Sequence, residues 1–357
     1  MPLEASISTK WHNTALALGR AVVLVVFCGS AGVAAAKSGA PAFLTPDEAV
    51  VVRQAIDHMS RMNYDAAETG LTRGLPTTSP ARFYFAGLAV MNRFVDLGDT
   101  NALRRAEAYW EPLTPKGAPH PHFKKTNTDL LNLYRGLTGM QLSYAASLRG
   151  QQFRSTTMAL ASRPLLKSLV SESEAPGERR SKYPEAQASL QLFEYYRERL
   201  LSKLPLIDNT EFDVKSYRLA AEGSPPLRDM FLASLFWIHI DQGQFAAAEA
   251  VSSEYLTRFP QNRLARQMHA SGLYRWGRLE EAYRITLDLK SEYSKLPRDP
   301  GTLPLGYYRA VGNLARLAAA RGMDREAEAL KVEWMKAEKA GLTPWLPSVL
   351  RRDLARL

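Results

Sequence analysis

Two six-residue strings, Gly243-Gln244-Phe245-Ala246-Ala247-Ala248 and Gly277-Arg278-Leu279-Glu280-Glu281-Ala282, lie 34 residues apart and share one pattern. Glycine comes first, an apolar residue two places later and alanine five places later. The spacing has a mechanical cause. Glycine permits the tight turn that joins one helix to the next, and the small alanine lets the second helix lie close against the first. A chain built on such a unit buries the apolar face of each unit against its neighbours, so its fold grows as a stack.

Weaker copies extend the pattern. Gly322 to Ala327 follows Gly277 by 45 residues, and the extra length fits a loop inserted across Ser294 to Pro304. Asn63-Tyr64-Asp65-Ala66-Ala67 has the aromatic residue and the alanine without the glycine. From Pro46 onward the apolar residues recur at helical spacing, with no sustained strand-type alternation. The pattern predicts helices over 46–60, 64–75, 80–97, 100–111, 126–149, 151–170, 184–203, 211–222, 226–242, 244–258, 261–276, 278–291, 304–321 and 323–340. Thr45-Pro46-Asp47-Glu48 reads as a capping box with proline at the first helical position. Asp208-Asn209-Thr210-Glu211 repeats that logic, and Gly223 before Pro225-Pro226 is expected to end its helix in a left-handed turn.

These residues make the chain resemble the tetratricopeptide repeat family, most closely over 229–291 and more loosely over 46–340. Leu190-Gln191-Leu192-Phe193-Glu194-Tyr195-Tyr196, with the repeats after it, is similar to exported bacterial repeat proteins of unassigned function. The resemblance implies an all-α fold, a right-handed superhelical solenoid of antiparallel helix pairs whose first helices line a concave groove. On that basis the chain divides into a signal peptide (1–36), a linker (37–45), N-terminal helical repeats (46–171), a loop or hinge (172–183), C-terminal repeats (184–340) and a capping helix (341–357). In the family's register, with repeats starting at Asp229, Arg263 and Tyr308, the groove carries Trp237 and Ile240, then Gln267, Tyr274 and Arg275, then Arg309 and Arg316. Arginines pair with carboxylates and aromatic faces supply anchors, so an extended acidic-aromatic segment or a carboxylate terminus is the expected occupant.

The first residues read as an export signal. Lys10 and Arg20 precede the apolar run Ala21 to Phe27, and small residues follow up to Ala34-Ala35-Ala36, where cleavage is expected. Gly29, Ser30 and Gly32 dilute the run before it reaches the roughly 20 residues a membrane span needs. Two alternatives stay open: a lipoprotein anchored at Cys28, the single cysteine, and an uncleaved N-terminal anchor. The formal net charge of +10 favours acidic partners at long range. Export removes the protein from nucleic acid, so a protein or peptide partner is expected. Membrane association is open, and the oligomeric state is not legible.

The chain contains no His-Glu-x-x-His, Gly-x-Ser-x-Gly, Gly-x-x-x-x-Gly-Lys, Cys-x-x-Cys or Gly-x-Gly-x-x-Gly motif. His120 and His122 sit in a basic loop without a neighbouring acidic or cysteine ligand. His239 and His269 fall at interior positions of the repeat and are expected to be buried and bonded to backbone. No catalytic residue, cofactor or metal is therefore assigned. The expectation is a protein-binding scaffold in the cell envelope, not an enzyme. The alternative is an enzyme or small-ligand binder whose site lies between helix pairs without a sequence signature.

Overall fold

A computed structural model describes residues 43–172, 179–181, 183–201, 212–296, 304–339, 351 and 354–355. The expected signal peptide, the expected linker up to residue 42 and most of the expected capping helix over 341–357 lie outside the described residues. Fourteen α-helices account for most of the described chain. They are α1 (Pro46–Ser60), α2 (Tyr64–Gly74), α3 (Pro80–Leu97), α4 (Thr100–Trp110), α5 (Thr128–Leu148), α6 (Gln152–Lys167) and α7 (Pro184–Leu201), followed by α8 (Val214–Glu222), α9 (Arg228–Asp241), α10 (Phe245–Arg258), α11 (Arg263–Trp276), α12 (Leu279–Ser294), α13 (Leu305–Ala320) and α14 (Asp324–Lys339). Each helix packs on its neighbours in the chain, and the fold is all-α. No helix among the described residues is long and apolar enough to cross a membrane.

The repeat pattern works as a turn. At the junction before α10, Gly243 has φ 73°, its N–H bonds the Ile240 carbonyl, and the Gln244 N–H bonds the His239 carbonyl at 2.8 Å. Gly277 and Gly322 make the same left-handed stop, with Arg278 bonding Leu273 and Met323 bonding Ala318 at 2.9 Å. Two further junctions share it. Gly150 (φ 72°) does so between α5 and α6, with Ser155 in the alanine place, and Met62 (φ 63°) does so between α1 and α2. Met62 thus occupies the place where glycine is missing from the Asn63-Tyr64 copy, and it is the one non-glycine residue described at positive φ. The small residue five places on is buried in every copy: Ala67, Ser155, Ala248, Ala282 and Ala327. Short left-handed stops of this kind satisfy helix-end carbonyls and reverse the chain, which places successive helices antiparallel.

Caps fix the other ends. Thr45 and Glu48 form the expected capping box, and Asp99, Asn127 and Asn262 cap α4, α5 and α11 through their side chains. Three expectations need correction. Helix α8 starts at Val214 under an Asp213 cap, later than the expected 211. Gly223 has φ −71°, so it is not a left-handed stop; a Cβ there would meet Pro184 at 3.2 Å, and the glycine serves close approach. Helix α6 ends at Lys167 because 170–172 leave it to pair antiparallel with 179–181, Val170 facing Ser181. That ribbon occupies the flanks of the expected loop or hinge, and one apolar core runs across it from Phe43 to Met268.

The row of helices returns on itself. The C-terminal ends of α1 and α3 meet the N-terminal ends of α11 and α13, some 200 residues later in the chain. Asn262 donates from Nδ2 to the Ser60 carbonyl at 2.9 Å, and the Arg309 Nη1 donates to the Val95 carbonyl at 2.7 Å. Gly98, with φ 80°, lets the turn after α3 lie against Leu305, since a Cβ would fall 2.6 Å from the Leu305 Cβ. At the centre of this closure Asp96 is fully buried and accepts four hydrogen bonds. The Tyr293 hydroxyl (2.7 Å) and Arg263 Nε (3.2 Å) bond its Oδ1, and the Tyr64 hydroxyl (3.2 Å) and Arg263 Nη2 bond its Oδ2. A second core follows, built from α12, α13 and α14, and Leu354 of the C-terminal segment is buried in it.

Candidate functional site: an arginine and aromatic face

The expected groove residues lie on the alternate helices α9, α11 and α13. Arg275 of α11 stacks over the Trp237 ring of α9, with 5.8 Å from guanidinium carbon to ring centroid. Arg316 of α13 stacks over the Tyr274 ring of α11 at 4.7 Å. Each aromatic side chain therefore supports an arginine from the next alternate helix. Tyr274 and Arg275 are adjacent in the chain, so the two rungs join into one strip. Stacking uses the flat face of a guanidinium and leaves its N–H edge available to an acceptor. Trp237, Tyr274 and Arg316 are half-buried, and Arg275 is exposed. Gln267, half-buried, is two helical turns before Tyr274 on the same face of α11.

Charge balance separates Arg275 from the arginines stacked on Trp276 and Tyr283. Arg278 lies over Trp276 at 5.1 Å, yet it is held by Glu249 at 2.6 Å and by Glu281. Arg321 lies over Tyr283 at 4.5 Å and pairs with Glu280. Among the described residues Arg275 has no carboxylate partner.

Two expected groove residues are placed elsewhere. Ile240 is buried. Arg309 is also buried, because the C-terminal end of α3 covers the first turns of α13 and takes Arg309 into the closure. The expected groove face of α13 is thus covered at Arg309, whereas Arg316, seven residues further on, is half-buried.

His239 is buried and His269 only half-buried, and both bond to side chains and not to backbone. His239 Nδ1 lies 2.7 Å from Gln244 Oε1, and His269 Nδ1 lies 2.8 Å from Ser252 Oγ. Burial lowers the pKa of both. His120 and His122 pack edge to face at 4.5 Å in a loop pinned by Arg135, which donates to the carbonyls of Thr114, Pro115 and Gly117. No group of three metal-ligating side chains occurs among the described residues.

Two buried acids were not singled out from the sequence. Asp96 carried a signal, since an acid in the last turn of a helix opposes the helix dipole and needs another reason to be there. Glu185 carried none, because the first turn of a helix is where an acid belongs. Its carboxyl is buried beside Ser224, burial pushes its pKa up to about 7, and its Oε2 meets no donor. Compared with family models, with curated proteins and with solved structures, the chain gave no match.

Proposed function

We propose that this chain is an exported scaffold of the tetratricopeptide type that holds a protein partner in the cell envelope. The partner presents an extended acidic-aromatic segment, which lies along the Trp237, Arg275, Tyr274 and Arg316 strip. One observation carries this reading: Arg275 is stacked on Trp237, exposed and without a carboxylate partner among the described residues, whereas the arginines stacked on Trp276 and Tyr283 are neutralised within the chain. A pre-stacked guanidinium loses little side-chain freedom on binding, and the aromatic rings beside it offer desolvated contact area. The basic net charge draws an acidic segment toward it. The resemblance over 229–291 supports the same class of function, since helical repeats of this type present extended concave binding surfaces.

A synthetic peptide alternating glutamate and phenylalanine, labelled and followed by fluorescence anisotropy at low salt, tests the site. Trp237→Ala and Arg275→Ala should each weaken binding by about 1–3 kcal/mol, roughly fivefold to 150-fold, with a shallower salt dependence for Arg275→Ala. Peptide binding unchanged in both variants would move the partner site away from this strip.

A further inference from the structure

Among the described residues Arg309 is a buried cation that forms no ion pair. It is 8% exposed, and its one hydrogen bond among the described residues goes from Nη1 to the Val95 carbonyl. Its Nε is buried and meets no acceptor among the described residues, and its Nη2 makes no hydrogen bond among them. The acid nearest in effect, Asp96, is already paired with Arg263 and bonded by two tyrosine hydroxyls. Tyr144 and Tyr293 lie near enough to act on Arg309 electrostatically. Burial pushes the Tyr144 phenol up to about 12 and that of Tyr293 well above its ordinary value, so neither supplies negative charge at neutral pH. A buried lysine in this place would shed its proton. A guanidinium keeps its charge, and a buried charge requires a partner.

We propose that the Nε–Nη2 edge of Arg309 binds a small oxyanion, a carboxylate or a phosphate, between the two ends of the helical row. The two N–H groups of that edge are parallel and match two oxygens of one oxyanion. Val95, Asp96, Tyr144 and Tyr293 are all buried, which restricts the occupant to a small one. The same guanidinium holds the Val95 carbonyl, so the bound anion fastens α3 to α13. This site is separate from the strip, because Arg316 lies seven residues, or about 10 Å, further along α13.

The test uses the full chain at pH 7, with sodium phosphate or sodium acetate exchanged for sodium chloride at constant ionic strength while the thermal midpoint is followed. The wild-type midpoint should rise saturably with at least one of the two. A response to phosphate alone assigns a tetrahedral anion, and a response to acetate assigns a carboxylate. Arg309→Met should lose the saturable response, Arg309→Lys should weaken the apparent affinity at least tenfold, and Arg275→Ala should retain it. Identical responses in wild type and Arg309→Met would overturn the proposal as a general salt effect, and loss of the response in Arg275→Ala would overturn it in favour of the strip. Should Arg309→Met fail to fold, calorimetric titration of phosphate and acetate into wild type and Arg309→Lys decides, and equal affinities overturn the site.

Discussion

Replacing Asp96 with alanine should lower the free energy of unfolding by about 3–5 kcal/mol, the range found when one partner of a buried ion pair is removed. The variant leaves the Arg263 guanidinium, only 9% exposed at the side chain, without its main counter-charge, and it removes the acceptor for the Tyr64 and Tyr293 hydroxyls. Glu292, 3.3 Å from Arg263 but 31% exposed, replaces little of the loss. Urea unfolding of wild type, Asp96→Ala and the pair Asp96→Leu/Arg263→Met measures the effect. The double variant should recover part of the loss, because an apolar pair has no charge to strand. A single-variant loss below about 1 kcal/mol would mean that the two ends of the row are not joined through Asp96.

Trp110→Ala should cost a similar amount, about 3–5 kcal/mol, through a different cause. Trp110 is fully buried at the end of α4, and its Nε1 donates to the Tyr84 carbonyl at 3.1 Å. Its ring occupies the space above Gly87, where a Cβ would fall 2.1 Å from Nε1. Truncation opens a cavity floored by a residue with no side chain to fill it, so the site cannot collapse and the full cavity cost appears. Gly87→Ala should be destabilising for the complementary reason, overpacking against the ring. The urea midpoint checks both, and a Trp110→Ala variant within about 1 kcal/mol of wild type would contradict the packing of α3 on α4.

The helices were legible because their signals are local. Capping residues, the Gly-x-apolar-x-x-Ala turn and the 3.6-residue spacing each act within a few positions, and the predicted helix over 80–97 coincides with α3. The left-handed role of Met62 and the Gly150 copy were missed because methionine and serine stand where glycine and alanine mark the pattern elsewhere. The aromatic and arginine strip followed from register, since positions seven or eight apart share a helix face. The burial of Arg309 did not, because it depends on α3, more than 200 residues away in the chain. No helical periodicity states which distant turn will cover a face. The same holds for Glu185, whose place in the first turn of α7 looks ordinary until Ser224 and Tyr134 are in position.

Site-specific photocrosslinking in intact cells tests most directly whether a partner lies on the α9, α11 and α13 face. A photoreactive residue at Gln267 samples the strip, and one at Leu219 on α8, 61% exposed, samples a surface outside it. Crosslinking to one discrete partner from position 267, lost on Trp237→Ala and reduced by salt, is the predicted result. A partner captured from position 219 and not from 267, unaffected by Trp237→Ala, would contradict the account and place the binding surface elsewhere on the fold.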